Sequence, residues 1–117
     1  MGDLNVAVDD EDIYNVDAAH IPKSAGTTFE ERESFKVNFI DRGFIDGFKC
    51  KHKDATGWFS FWSVRAGNVS RNRGLRLDYT FVCNFHKDRL HLLVDAFMLD
   101  KYAPVGDHCP VGLTLAQ

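Results

Sequence analysis

With 117 residues, 44% of them hydrophobic, and a formal net charge of −3, the chain fits one folded domain and is neither a disordered tail nor a bulk polycation. No apolar run approaches the roughly 18 residues that cross a bilayer, and the N-terminus is acidic, without the basic start and apolar run of a signal segment. Three cysteines at no regular spacing, Cys50, Cys83 and Cys109, argue against a disulfide framework, so an intracellular protein with no membrane partner is expected, nuclear or cytoplasmic left open.

The first element in chain order is "GDLNVAV", in which Leu4, Val6 and Val8 alternate with Asp3, Asn5 and Ala7, the pattern of a short strand. An acidic loop follows to about Thr27. "TFEERESFKVNFID" then opens with Thr28 at the N-cap and Glu31 three residues on, a capping box, and Phe29, Phe35, Phe39 and Ile40 supply an apolar helical face. Gly43 ends that helix, and "FIDGF" leads into an irregular basic stretch around "KCKHKD". From Gly57 the pattern changes to strands: "WFSFWSV", "LRLDYTFVC", "LHLLVDAFML" and "PVGLTL". The expected fold is α+β, one mixed or antiparallel sheet with a covering helix. "LHLLVDAFML" is apolar on both faces apart from Asp95, so the sheet needs cover on two sides, and one helix cannot supply it.

Charge is unevenly spread. Up to Val16 the chain carries Asp3, Asp9, Asp10, Glu11 and Asp12 with no basic residue, whereas "RAGNVSRNRGLR" carries Arg65, Arg71, Arg73 and Arg76 with no acid and could meet phosphates. Three polar groups stand out beside it: Asp3 with Asn5 on one face of the first strand, Asp78 in mid-strand, and Asp107 with His108 at the start of the last. A carboxylate beside a histidine fixes its tautomer and raises its basicity, and a second carboxylate with an amide can orient a water and a phosphate oxygen. Each taken singly is also explained as a strand-end cap or a satisfied histidine. Zinc is disfavoured: Cys83, His86, His91, His108 and Cys109 are suitable ligands at unsuitable spacing.

"GDLNVA", "AGTTFEERESF", "GFIDGF", "FSFWSVRAGNVSRNRGLRLDY" and "GDHCPVGLTL" together resemble, in order and spacing, the exonuclease III type of apurinic/apyrimidinic (AP) endonucleases, in the endonuclease/exonuclease/phosphatase superfamily. The resemblance implies the C-terminal half, residues 1–117, of a deoxyribonuclease I-like four-layer α/β sandwich. It implies hydrolysis of DNA 5′ to abasic sites in base excision repair, with Mg²⁺ or Mn²⁺ as cofactor. It implies catalytic roles for Asp3, Asn5, Asp78 and His108, a metal-site role for Asp107, and DNA contacts from Arg65, Asn68, Arg71, Arg73 and Arg76. An abasic-sugar pocket is implied at Phe61, Trp62, Leu75 and Leu77.

The sequence departs from the family in three places: Leu75 stands where animal members carry tryptophan, Ser24 stands where they carry asparagine before "AG", and the first-half segments holding the main metal-binding glutamate have no counterpart. The expected partners are DNA with abasic sites and either the missing N-terminal half or a second copy of the chain. Two rival readings accompany this one: a non-catalytic half-domain that binds DNA or a partner chain, and another phosphodiesterase or phosphatase of the superfamily.

Overall fold

Alternating and helical patterns become eight short elements in the structure, a computed structural model that describes residues 1–83, 89–100 and 106–117. They are β1 (Gly2–Asp3), α1 (Phe29–Phe35), β2 (Phe44–Asp46), α2 (Gly47–Lys51), β3 (Asp78–Tyr79), β4 (Phe81–Cys83), β5 (Leu93–Met98) and β6 (Val111–Leu115). Among the described residues all strand pairing is antiparallel, in three two-stranded ladders, β1 with β3, β2 with β4 and β5 with β6. The α+β class holds, but the single ladder expected from the strand pattern is broken up. The "WFSFWSV" and "GDHC" segments join through single-residue bridges, Ile13 to Leu75, Leu75 to Phe61, and Phe61 to His108. Four stretches of chain thus lie side by side in the order Ile13, Leu75, Phe61, His108.

Helix α1 forms as its capping box requires. The Thr28 hydroxyl accepts from the Glu31 amide at 3.2 Å and donates to the Glu31 carboxylate at 2.6 Å, which also accepts from the Gly26 amide. The helix is shorter than its pattern. Asn38 donates its carboxamide to the Ser34 carbonyl, the acceptor its own amide would use in an α-helix, and the chain widens into a π turn over Lys36–Ile40. Gly43, at φ +94°, ends the run as expected.

The apolar face of the helix is corrected. Phe35 is buried against Tyr79, Val6 and Val8, but Phe29 is 72% exposed, because six residues at about 100° each turn it some 120° away from Phe35. Helix α2 was not anticipated from "GFKCK". It starts because the Asp46 side chain accepts from the Lys49 amide, an N-cap overlooked in a segment read as irregular.

Among the described residues the core is divided into three small clusters rather than one. The largest gathers Phe48, Phe59, Trp62, Ala96, Met98 and Cys109, bringing α2 onto β5. Beneath these lies a buried ion-pair group. Arg76 meets Asp12 through Nε at 2.8 Å and Asp46 through both terminal nitrogens at 3.1 and 2.5 Å, with its guanidinium over the Tyr79 ring. Burial alone would raise the Asp12 carboxyl, but Arg76, the Asp9 amide and Lys49 hold it below its ordinary value. Tyr79 locks the neighbourhood by donating its hydroxyl to the Val6 carbonyl at 2.6 Å. Among the described residues, no helix is long and apolar enough to cross a membrane.

Candidate active site

Antiparallel pairing of β1 with β3 sets Asp3 directly opposite Asp78. The Phe61–His108 bridge delivers His108 from the third chain over. His108 Nδ1 then lies 2.7 Å from Asp78 Oδ2, and His108 Nε2 lies 3.8 Å from Asp3 Oδ2. A bond from Nδ1–H to the Asp78 carboxylate leaves Nε2 as the working nitrogen and turns it toward Asp3. All three side chains offer a ligand-type atom within 4.8 Å of one another. The group is open rather than buried, with His108 side chain 32% and Asp3 side chain 36% exposed.

Support comes from a residue that sequence reasoning passed over. The buried Ser60 hydroxyl accepts from the amides of both Leu77 and Asp78, at 2.9 and 3.0 Å, and the Ser60 carbonyl accepts from Cys109 N at 2.8 Å. One side chain therefore ties the backbone at Asp78, and its own carbonyl ties the backbone just after His108. A serine between two phenylalanines gives no sign of this in the sequence.

Asn5 reaches the site by a different route from the one expected. The strand ends at Asp3, and Asn5, at φ +55°, turns back so that its amide donates to Asp3 Oδ1 at 2.9 Å. Asp3 and Asn5 are thus joined by a side-chain turn, not by strand alternation. A Cβ on Gly26 would stand 2.7 Å from the Asn5 carbonyl oxygen, and Gly26 itself has φ +84°, so glycine is required where "KSAG" backs this turn.

Asp107 does not join the group. Its carbonyl accepts from Trp62 N at 2.9 Å, and its exposed side chain, on a bend just before the His108 bridge, is not among the ligand atoms gathered at Asp3, Asp78 and His108.

The expected pocket wall divides in the same way. Phe61 packs its ring 5.1 Å from the His108 ring, and Leu75, its bridge partner, is also partly exposed. Trp62 is 3% exposed in the core and donates its indole N–H to Asn72 Oδ1 at 3.0 Å, and Leu77 is buried with Ala7, Ile13 and Ile21. Neither Trp62 nor Leu77 presents a surface to a sugar.

Of the basic residues, Arg65, Arg71 and Arg73 are exposed and make no ion pair among the described residues. Asn68 is half-buried and its carbonyl holds the Arg73 amide at 3.0 Å. Arg76 is withdrawn from the DNA-contacting set, since it is buried and its guanidinium is spent on Asp12 and Asp46. Gly74 allows the tight approach after this loop, because a Cβ there would stand 2.5 Å from that of Phe59. Cys83 is exposed and Cys109 is buried, with burial pushing its thiol up to about 11, and neither belongs to a ligand cluster among the described residues. His86 of the zinc set lies outside the described residues.

No family model matches the chain. An exodeoxyribonuclease of Bacillus subtilis is 39% identical over 114 residues, which is 97% of this chain and 42% of that protein. A DNA-(apurinic or apyrimidinic site) endonuclease of Dictyostelium discoideum is 37% identical over 97% of this chain and 30% of its own length. The crystal structure of an AP endonuclease from Leishmania major superposes with a TM-score of 0.84 at 33% identity, covering 98% of this chain and 34% of that one. The fold is therefore that of part of a deoxyribonuclease I-like α+β nuclease. The chain is homologous over its length to the exonuclease III-type AP endonucleases, of whose length it spans less than half.

Proposed function

We propose that the chain supplies the C-terminal half of a metal-dependent AP endonuclease, hydrolysing a DNA phosphodiester 5′ to an abasic site. The observation that carries this reading is His108 held between two carboxylates, bonded to Asp78 at 2.7 Å and facing Asp3 at 3.8 Å. A water or phosphate oxygen at the apex of that gap reaches both Nε2 and the Asp3 carboxylate. Asp78 keeps Nε2 aimed at it. The Asn5 carboxamide, which makes no hydrogen bond among the described residues, is free to hold a phosphate oxygen beside Asp3. As the water oxygen bonds to phosphorus, its proton passes to His108 Nε2 while Asp3 orients the water, the P–O3′ bond breaks and the released oxygen takes a proton from solvent.

The donor set suits a divalent cation. Asp3 and Asp78 face each other across one pair of strands and offer hard oxygen ligands, as Mg²⁺ or Mn²⁺ prefers. Such an ion supplies charge neutralisation at the phosphate. Phe61 and Leu75 offer an apolar edge next to His108 for the base-less sugar.

The test is incision of an abasic duplex by the chain alone and by the chain mixed with the N-terminal segment of the Bacillus relative. His108→Asn and Asp78→Asn should each reduce incision by about 10²–10⁴-fold, the range for loss of a positioned acid–base group. Incision at the wild-type rate by either variant would overturn the assignment. The share of the relatives that the chain spans, 30–42%, favours a second reading: a half-domain that is inert until joined by the rest. Cleavage seen only in the mixture would identify it.

A further inference from the structure

The "AGTTFEERESF" stretch adds no side chain to the His108 group, yet its first glycine stands directly behind Asn5. Asn5 is exposed and its carboxamide makes no hydrogen bond among the described residues, so the aim of that carboxamide is set by the backbone. That backbone is in the left-handed region, at φ +55°, which costs an L residue energy and must be held from outside. Leu4 N and Asn5 N fasten one side of the turn, donating to the Leu77 carbonyl at 3.0 Å and to Asp3 Oδ1 at 2.9 Å. On the other side, the Val6 carbonyl accepts from the Tyr79 hydroxyl at 2.6 Å and Ala7 N donates to the Gly26 carbonyl at 2.8 Å. The Asn5 carbonyl between them faces Gly26, so closely that an added Cβ would stand 2.7 Å from its oxygen.

Gly26 is itself left-handed, at φ +84°, and its amide has an anchor: both carboxylate oxygens of Glu31 lie 3.0 Å from Gly26 N. The Thr28 hydroxyl aims that carboxylate by donating to Oε1 at 2.6 Å. The Thr28 hydroxyl, with the amides of Gly26 and Thr28, also holds the Glu31 carboxyl below its ordinary value, so it is ionised at neutral pH. In a capping box the third side chain of the helix returns to the N-cap amide, whereas Glu31 reaches past it to a residue two positions further back. We infer that Glu31 is a positioning residue for Asn5: its carboxylate pins Gly26, and the pinned glycine keeps the Asn5 carboxamide turned toward the phosphate. The inference rests on the reading of the His108 site given above, in which Asn5 holds a phosphate oxygen. Starting α1 asks only for an acidic or amide side chain at this position. Holding Gly26 asks for the length of a glutamate, so charge and reach separate the two roles.

The side-chain amide resonances of Asn5 in the isotope-labelled 117-residue protein report the turn without any need for turnover. Glu31→Asp keeps the charge at the start of α1 but is one methylene too short for Gly26, and should move the Asn5 peaks. Glu31→Gln loses the charge but keeps a carbonyl at full reach, and should leave them near their wild-type positions. Unmoved Asn5 peaks in Glu31→Asp, or an equal displacement in Glu31→Gln, would overturn the inference and leave the His108 reading intact. Incision of an abasic duplex by the chain mixed with the N-terminal segment of the Bacillus relative gives the second readout. Glu31→Asp should slow incision by about 10–10²-fold, and the double variant with Asn5→Ala should be no slower than Asn5→Ala alone. Losses that multiply in the double variant would show that Glu31 does not act through Asn5. Wild-type incision by Asn5→Ala would instead overturn the role of Asn5 in the proposed reaction, while the resonances still decide whether Glu31 sets its turn.

Discussion

Two clusters, each a basic side chain between two carboxylates and joined through residues two apart, Arg76 and Asp78, differ in almost every physical respect. At Arg76, two carboxylates close on one guanidinium inside the core, side chains 2–12% exposed, and every charge has its partner. At His108, the imidazole has one firm bond, its second nitrogen stops 3.8 Å short of Asp3, and the group opens to solvent. A saturated cluster can only hold the fold together. An unsaturated one keeps lone pairs and protons for a substrate. The difference is drawn within a single strand register, since Arg76 and Asp78 are two residues apart and Arg73 lies just before them, exposed.

The comparison breaks first at Arg76. Arg76→Met leaves Asp46 without its cation and Asp12 with Lys49 alone, and should cost about 3–5 kcal/mol in urea unfolding, enough to unfold a small domain, whereas Arg73→Met should stay within about 0.5 kcal/mol. Equal costs for the two arginines would mean that the Arg76 cluster is not closed. Ser60→Ala comes next. It strands the amides of Leu77 and Asp78 and should cost about 1–3 kcal/mol, with a larger loss of incision than of stability because Asp78 is released. A Ser60→Ala protein with wild-type melting and wild-type incision would remove the link between core and site.

Acid should separate the two regions with a smaller effect. The Asp12 carboxyl is held below its ordinary 3.8 in the folded protein, so its contribution is complete above that value and disappears as pH falls through the lower folded value. Unfolding midpoints should therefore change little between pH 7 and about 4, then fall. Asp12→Asn should start lower and lose that part of the acid dependence. An unchanged acid limb in Asp12→Asn would assign it to other carboxylates.

Local signals in the sequence settled local structure. Thr28 and Glu31 announced the start of α1 and Gly43 its end, and alternation around Asp78 correctly demanded a partner, which His108 supplies. These readings succeeded because a cap, a glycine at positive φ and a mid-strand carboxylate each act within a turn or across one strand pair. The tertiary structure decided what depends on which face turns inward. Alternation separates Phe61 from Trp62 and Asp107 from His108, but it does not say which of each pair meets the site, and here Trp62 goes to the core while Asp107 stays outside. Arg76 looked like its neighbours Arg71 and Arg73 because its partner Asp12 is 64 residues away. Burial of a charge is an agreement between distant segments, and no window of sequence contains both sides of it.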